Sequence, residues 1–91
     1  MKVREIITLT GWVEGHGLTG TQCYSDQVID VDNLDTPMDW SWWTTADEPA
    51  PDSDTKLTVS HYAIDADPDA VNPLATWSTW ESDLIAARRA S

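Results

Sequence analysis

The net charge of this chain is confined to its middle. Between Asp26 and Asp69 stand twelve acids and one base, Lys56, while residues 1–25 and 70–91 each sum to zero; the whole formal net charge of −11 lies in the central half. Concentrated like charge repels itself and opposes compaction, so this half needs compensation. With 91 residues there is length for one domain, 1–91, and one core. Hydrophobic residues at 41% and charged residues at 23% keep the chain near the globular average, so it is expected to fold despite the imbalance.

The same charge excludes partners. Nucleic acid and anionic membranes both select basic surfaces, so neither is expected to bind directly, and the expected partner is basic. The single cysteine, Cys23, has no second thiol to pair with, which fits a reducing cytosol. The segment Met1-Lys2-Val3-Arg4-Glu5-Ile6 makes a poor signal peptide, and no stretch approaches the ~18 consecutive apolar residues of a membrane span. The expectation is a soluble protein of the cytoplasm.

Residues 3–13 are rich in β-branched side chains and alternate around Ile7 and Leu9, which predicts a strand. Gly15, Gly17 and Gly20 then favour a turn or open loop. Segments 21–25 and 28–32 are the two candidates for a short second strand, the latter with a wet face. From Asn33 to Thr55 the prolines at 37, 49 and 51 forbid a long helix, so a loop is expected around Trp40-Ser41-Trp42-Trp43. Residues 56–65 restore alternation, with Leu57, Val59, His61 and Ala63 on one face. Asn72 and Pro73 read as the cap and first position of a helix reaching about Ala87, its stripe formed by Leu74, Trp77, Trp80 and Leu84. Arg88 and Arg89 would oppose the negative end of its dipole. The fold class that follows is α+β: a small antiparallel sheet of about three strands covered by a C-terminal helix, with a long acidic Trp-rich loop.

Sites of chemistry are few. Asp65-Ala66-Asp67-Pro68-Asp69 opens like a calcium loop, but Ala70 and Thr76 stand where an EF-hand needs glycine and a bidentate glutamate, so no metal is expected. Cys23 has no local cation to activate it, His16 lies between glycines, and His61 reads as an ordinary sheet residue. No enzyme and no cofactor are expected. Among the six tryptophans, Trp12, Trp77 and Trp80 are assigned to packing, whereas Trp40, Trp42 and Trp43 could pack or anchor a partner. The acids are the strongest signal. A duplex carries one charge per ~1.7 Å of axis, and a line of carboxylates can present comparable charge to a basic groove.

The run Tyr62-Ala63-Ile64-Asp65-Ala66-Asp67, with Asp69, Ala70 and Trp77 after it, resembles the strand-to-helix joint of small acidic phage anti-CRISPR proteins, over about a fifth of the chain. The resemblance implies a DNA mimic that blocks the basic DNA-binding surface of a type I CRISPR surveillance complex (Cascade). It would assign Asp65, Asp67 and Asp69 to lysines or arginines of that complex. Two features depart from the family: the C-terminal helix is neutral rather than acidic, and the Trp40–Trp43 loop has no counterpart. Charge counting adds Asp30, Asp32, Asp35, Asp39, Asp47, Glu48, Asp52 and Asp54 to the expected contact surface, with Trp40, Trp42 and Trp43 as its apolar anchor. The competing expectation is a small phage structural or accessory protein that binds a neighbour through the Trp-rich loop.

Overall fold

The computed structural model describes residues 1–90. Four strands and one helix follow in order: β1 (Lys2–Val13), β2 (Gly17–Asp30), β3 (Ser53–Tyr62), β4 (Ala75–Trp80) and α1 (Glu81–Ala90). The sheet order is β2-β1-β3-β4, with every neighbouring pair antiparallel. This is the expected α+β layout with one strand more.

Alternation sorts the side chains to two faces. In β1, Val3, Glu5, Ile7 and Leu9 share a face; the register sets Ile7 beside Val59, Leu9 beside Leu57 and Glu5 beside His61, and carries these rows on to Trp77, Thr79 and Ala75 of β4. The buried apolar core is Val3, Ile7, Leu57, Val59 and Ile85. Only Ile85 comes from the helix, so much of the remaining cover falls to the loop. Trp42 and Met38 line a groove with Ile7 and Val59, and Trp43 lines another with Leu9 and Gly11. The other face carries Arg4, Thr8, Thr10, Thr58 and Ser60, and among the described residues no second helix covers it.

Three expectations need correction. First, β2 is one strand of 14 residues rather than a glycine loop and a short strand at 21–25 or 28–32. The turn is confined to Glu14-Gly15-His16, where Gly15 (φ 85°) and the first strand residue, Gly17 (φ 76°), take backbone angles that side chains disfavour. Register shifts at Ile7/Thr8 and Thr10/Trp12 absorb the irregular sequence, and the first leaves Tyr24 as an extra residue between Cys23 and Ser25. Second, residues 75–80 form β4 instead of helix. Trp77 and Trp80 therefore belong to opposite faces, and Leu74 is exposed. Third, the helix starts at Glu81, with Glu81 and Asp83 in its first turn and Arg88 and Arg89 in its last, the favourable sense for its dipole. Among the described residues no helix is long and apolar enough to cross a membrane.

Candidate interaction surface

Residues 31–52 cross the covered side of the sheet without regular structure, held by local turns and by their aromatics. The Asn33 side-chain oxygen accepts bonds from the main-chain N–H of Asp35 and Thr36, both at 2.9 Å, and from the Thr36 hydroxyl. The Asp39 carboxylate accepts the Ser41 N–H at 2.9 Å, and this bond holds its carboxyl below the usual range. Tyr24 of β2 lies 5.9 Å from Trp42 and 5.5 Å from Trp43, and Trp42 in turn lies 5.9 Å from Trp40. The helix closes the other side: Trp43 Nε1 donates to Glu81 at 2.7 Å, and Arg88 donates to the Trp40 carbonyl at 3.0 Å and to Thr45 Oγ1 at 3.1 Å. Trp40, Trp42 and Trp43 are all half-buried. They bind the loop to β2 and α1, leaving only part of each ring for any anchoring role.

Of the carboxylates expected at the surface, Asp30, Asp32, Asp35, Asp39, Asp47, Glu48, Asp52, Asp65, Asp67 and Asp69 are exposed. Asp54 is not. Half-buried at the start of β3, it accepts the Ser82 N–H at 3.1 Å and the Ser82 hydroxyl, satisfying an orphan donor of the helix start. Its role is to cap α1.

The remaining acids divide between the two ends of the sheet. Asp52, whose carbonyl accepts the Glu14 N–H at 2.8 Å, sits beside the β1–β2 turn. At the other end, Asp30 lies 3.2 Å from the Met1 amine, and Asp67 lies in the connection that leaves β3 after Tyr62, the residue paired with Arg4. Asp65 and Asp69 flank Asp67 in the β3–β4 connection, where the Asp67 carboxylate accepts the Asp69 N–H at 3.0 Å. The ten residues of β3 separate the two ends by about 30 Å. The sequence suggested one acidic edge; the fold sets Asp30, Asp65, Asp67 and Asp69 at one end of the sheet and Asp52 at the other, with the loop between.

Two pairs of titratable groups outside this set are held locally. Arg4 holds Asp26 through two bonds of 2.8 and 2.6 Å; the bond from Arg4 pulls the exposed Asp26 carboxyl below its ordinary value and raises the guanidinium. A second pair went unread in the sequence. His61 is buried, its Nε2 lies 2.8 Å from Glu5 Oε2, and the Trp77 ring meets it edge-on at 4.9 Å. His61 Nδ1 has no hydrogen-bond partner among the described residues. The available signal was Glu5 falling between Val3 and Ile7 on the inward phase of β1. No group of three or more His, Cys, Asp or Glu comes together to hold a metal among the described residues.

Fold and surface together define an acidic α+β protein with a one-sided core and a Trp-pinned loop. Comparison of the chain with protein-family models, with curated proteins and with solved structures finds no match.

Proposed function

We propose that this chain is an acidic inhibitor that mimics DNA and occupies the basic DNA-binding surface of a type I CRISPR Cascade, in the cytoplasm of a bacterial host cell, without catalysis or a cofactor. The observation that carries the proposal is the display of charge. The ten exposed acids of the expected surface sit on a body whose longest dimension is 41 Å, an average of about one per 4.1 Å, against ~3.4 Å between phosphates along one DNA strand. No lysine or arginine interrupts the sequence between Arg4 and Lys56. A groove lined with lysine and arginine meets this surface as it meets a strand of phosphates, by charge and without reading bases. The half-burial of Trp40, Trp42 and Trp43 weighs against the alternative of an accessory protein docking through its tryptophans.

A gel shift of purified Cascade on its target duplex, at near-physiological salt and with increasing amounts of this protein, tests the reading. Loss of the shifted band is expected, together with an affinity for Cascade that falls as salt rises. The triple substitution Asp65→Lys, Asp67→Lys and Asp69→Lys should weaken inhibition while the circular dichroism spectrum stays unchanged. An unaltered band at saturating protein refutes competition for the DNA surface.

A further inference from the structure

We propose that the free edge of β2, over Ser25–Asp30, is a docking site for an extended basic strand of a partner protein. The choice of a basic occupant rests on the reading above; the docking mode rests on the sheet. β2 is hydrogen-bonded to β1 alone, so alternate residues along it turn main-chain N–H and C=O groups outward. The one other bond to its main chain among the described residues is a weak 3.6 Å contact from Cys23 Sγ to the Ser25 carbonyl. Edges of this kind are ordinarily protected by charged side chains, proline, bulges or a covering element. Over Ser25–Asp30 there is no lysine, proline or bulge, the charges are Asp26, held by Arg4, and Asp30, and among the described residues no other strand pairs with the outer side. Its bulge at Tyr24 breaks the ladder and leaves Ser25–Asp30 as the regular half, a length close to that of an ordinary strand.

Charge selects the occupant. A second copy of the chain would bring −11 against −11. The Asp30 side chain is 73% exposed at one end of the segment, with Asp32 and Asp35 exposed just beyond it. At the other end Tyr24 is 52% exposed and offers its ring to a cation. Between them Val28, 56% exposed, presents an apolar contact. Val28 and Asp30 lie two residues apart and share a face, so a strand with arginines and β-branched residues in alternation sets arginines opposite both: one guanidinium meets Asp30 and a neighbouring arginine stem covers Val28. Its main chain supplies the pairing, and the acids and Tyr24 choose the sign of its side chains.

The test uses the full chain labelled with 15N and a synthetic eight-residue peptide of alternating Arg and Val, beside the same peptide N-methylated at every residue. The two carry equal charge, and only the first can donate main-chain hydrogen bonds. Expected are slowed amide exchange at alternate residues of Ser25–Asp30, none on β4, and a loss of about tenfold or more in affinity on methylation. Equal affinity for the two peptides, absence of binding, or binding without protection in β2 overturns the docking mode. None of these touches the gel-shift result, so the failure of the mode and of the inhibitor reading are distinguishable. Protection of β2 amides that grows with protein concentration in the absence of peptide also overturns it, in favour of self-association.

Discussion

Replacing Trp43 with alanine asks whether the acidic loop is part of the folded body. Full burial makes a tryptophan-to-alanine change cost about 3–5 kcal/mol, so the half-buried Trp43 ring contributes roughly 2. Its contacts with Tyr24 at 5.5 Å and Trp42 at 6.0 Å add about 0.5–1.5 kcal/mol as aromatic pairs. The bond to Glu81 at 2.7 Å adds on the order of 1 kcal/mol, reduced by its partial exposure. These contributions overlap, and the expected loss for Trp43→Ala is about 3 kcal/mol, out of a total of roughly 5–14 for a domain of this size. Urea denaturation followed by far-ultraviolet circular dichroism reads it, with a fall in Tm of about 10–20 °C as the thermal counterpart. Trp43→Phe keeps most of the ring and removes the donor, so it should lose about 1 kcal/mol, and little more once Glu81→Gln is also present. Amide exchange over residues 40–47 should quicken in Trp43→Ala. A loss below ~0.5 kcal/mol would refute the reasoning, because the loop would then owe nothing to the contacts that hold it.

Three further perturbations separate structure from surface. Asp54→Ala removes the cap of α1 and should cost about 1–2 kcal/mol in a thermal melt, whereas Asp52→Ala, at the exposed Asp52 on the far side of Ser53, should cost under ~0.5. Leu57→Ala, in the core, should cost about 3 kcal/mol, while its neighbour Thr58→Ala on the uncovered face changes stability by less than ~0.5; similar losses at both would mean that both faces are packed. Asp26 is held below the ordinary carboxyl value by Arg4, so the stabilisation from this pair is present above that ordinary value and is lost as pH falls through the lower folded one. A carboxyl 13C titration should place the Asp26 midpoint below 3.8, and Arg4→Met should raise it; a midpoint indifferent to Arg4 would remove the pair as its cause.

β1 and β3 were legible because their alternation has one reading. Val3, Ile7 and Leu9 and then Leu57, Val59 and His61 fall on one phase, and both strands are central, so packing reinforces what the pattern suggests. Residues 74–84 satisfy two patterns at once. Leu74, Trp77 and Trp80 fit a helical stripe, while Ala75, Trp77 and Thr79 fit a strand face; pairing with the open side of β3 decides for the strand. Asn72 and Pro73 looked like a helix start, yet the helix begins at Glu81 under a cap supplied by Asp54, 28 residues away. A cap brought in from another strand leaves no local signature. The same holds for Glu5 and His61, which become neighbours only through the β1–β3 register. For the surface, exposure of most acids followed from charge alone, but their division between two ends of the sheet depended on which loop lies where. The packing of Trp42 and Trp43 against Tyr24 likewise needed the bulge at Tyr24.

The loop from Asp32 to Asp52 interleaves two kinds of position. Leu34, Met38, Trp40, Trp42, Trp43 and Thr45 are half-buried, while Asp32, Asp35, Asp39, Asp47, Glu48 and Asp52 face outward. Mutational drift is therefore unequal along one short stretch: inward positions are constrained by packing, and outward ones can change sign, size or spacing with little effect on folding. A lineage carrying this chain can revise what it meets one outward residue at a time, keeping the same six footholds on the sheet throughout.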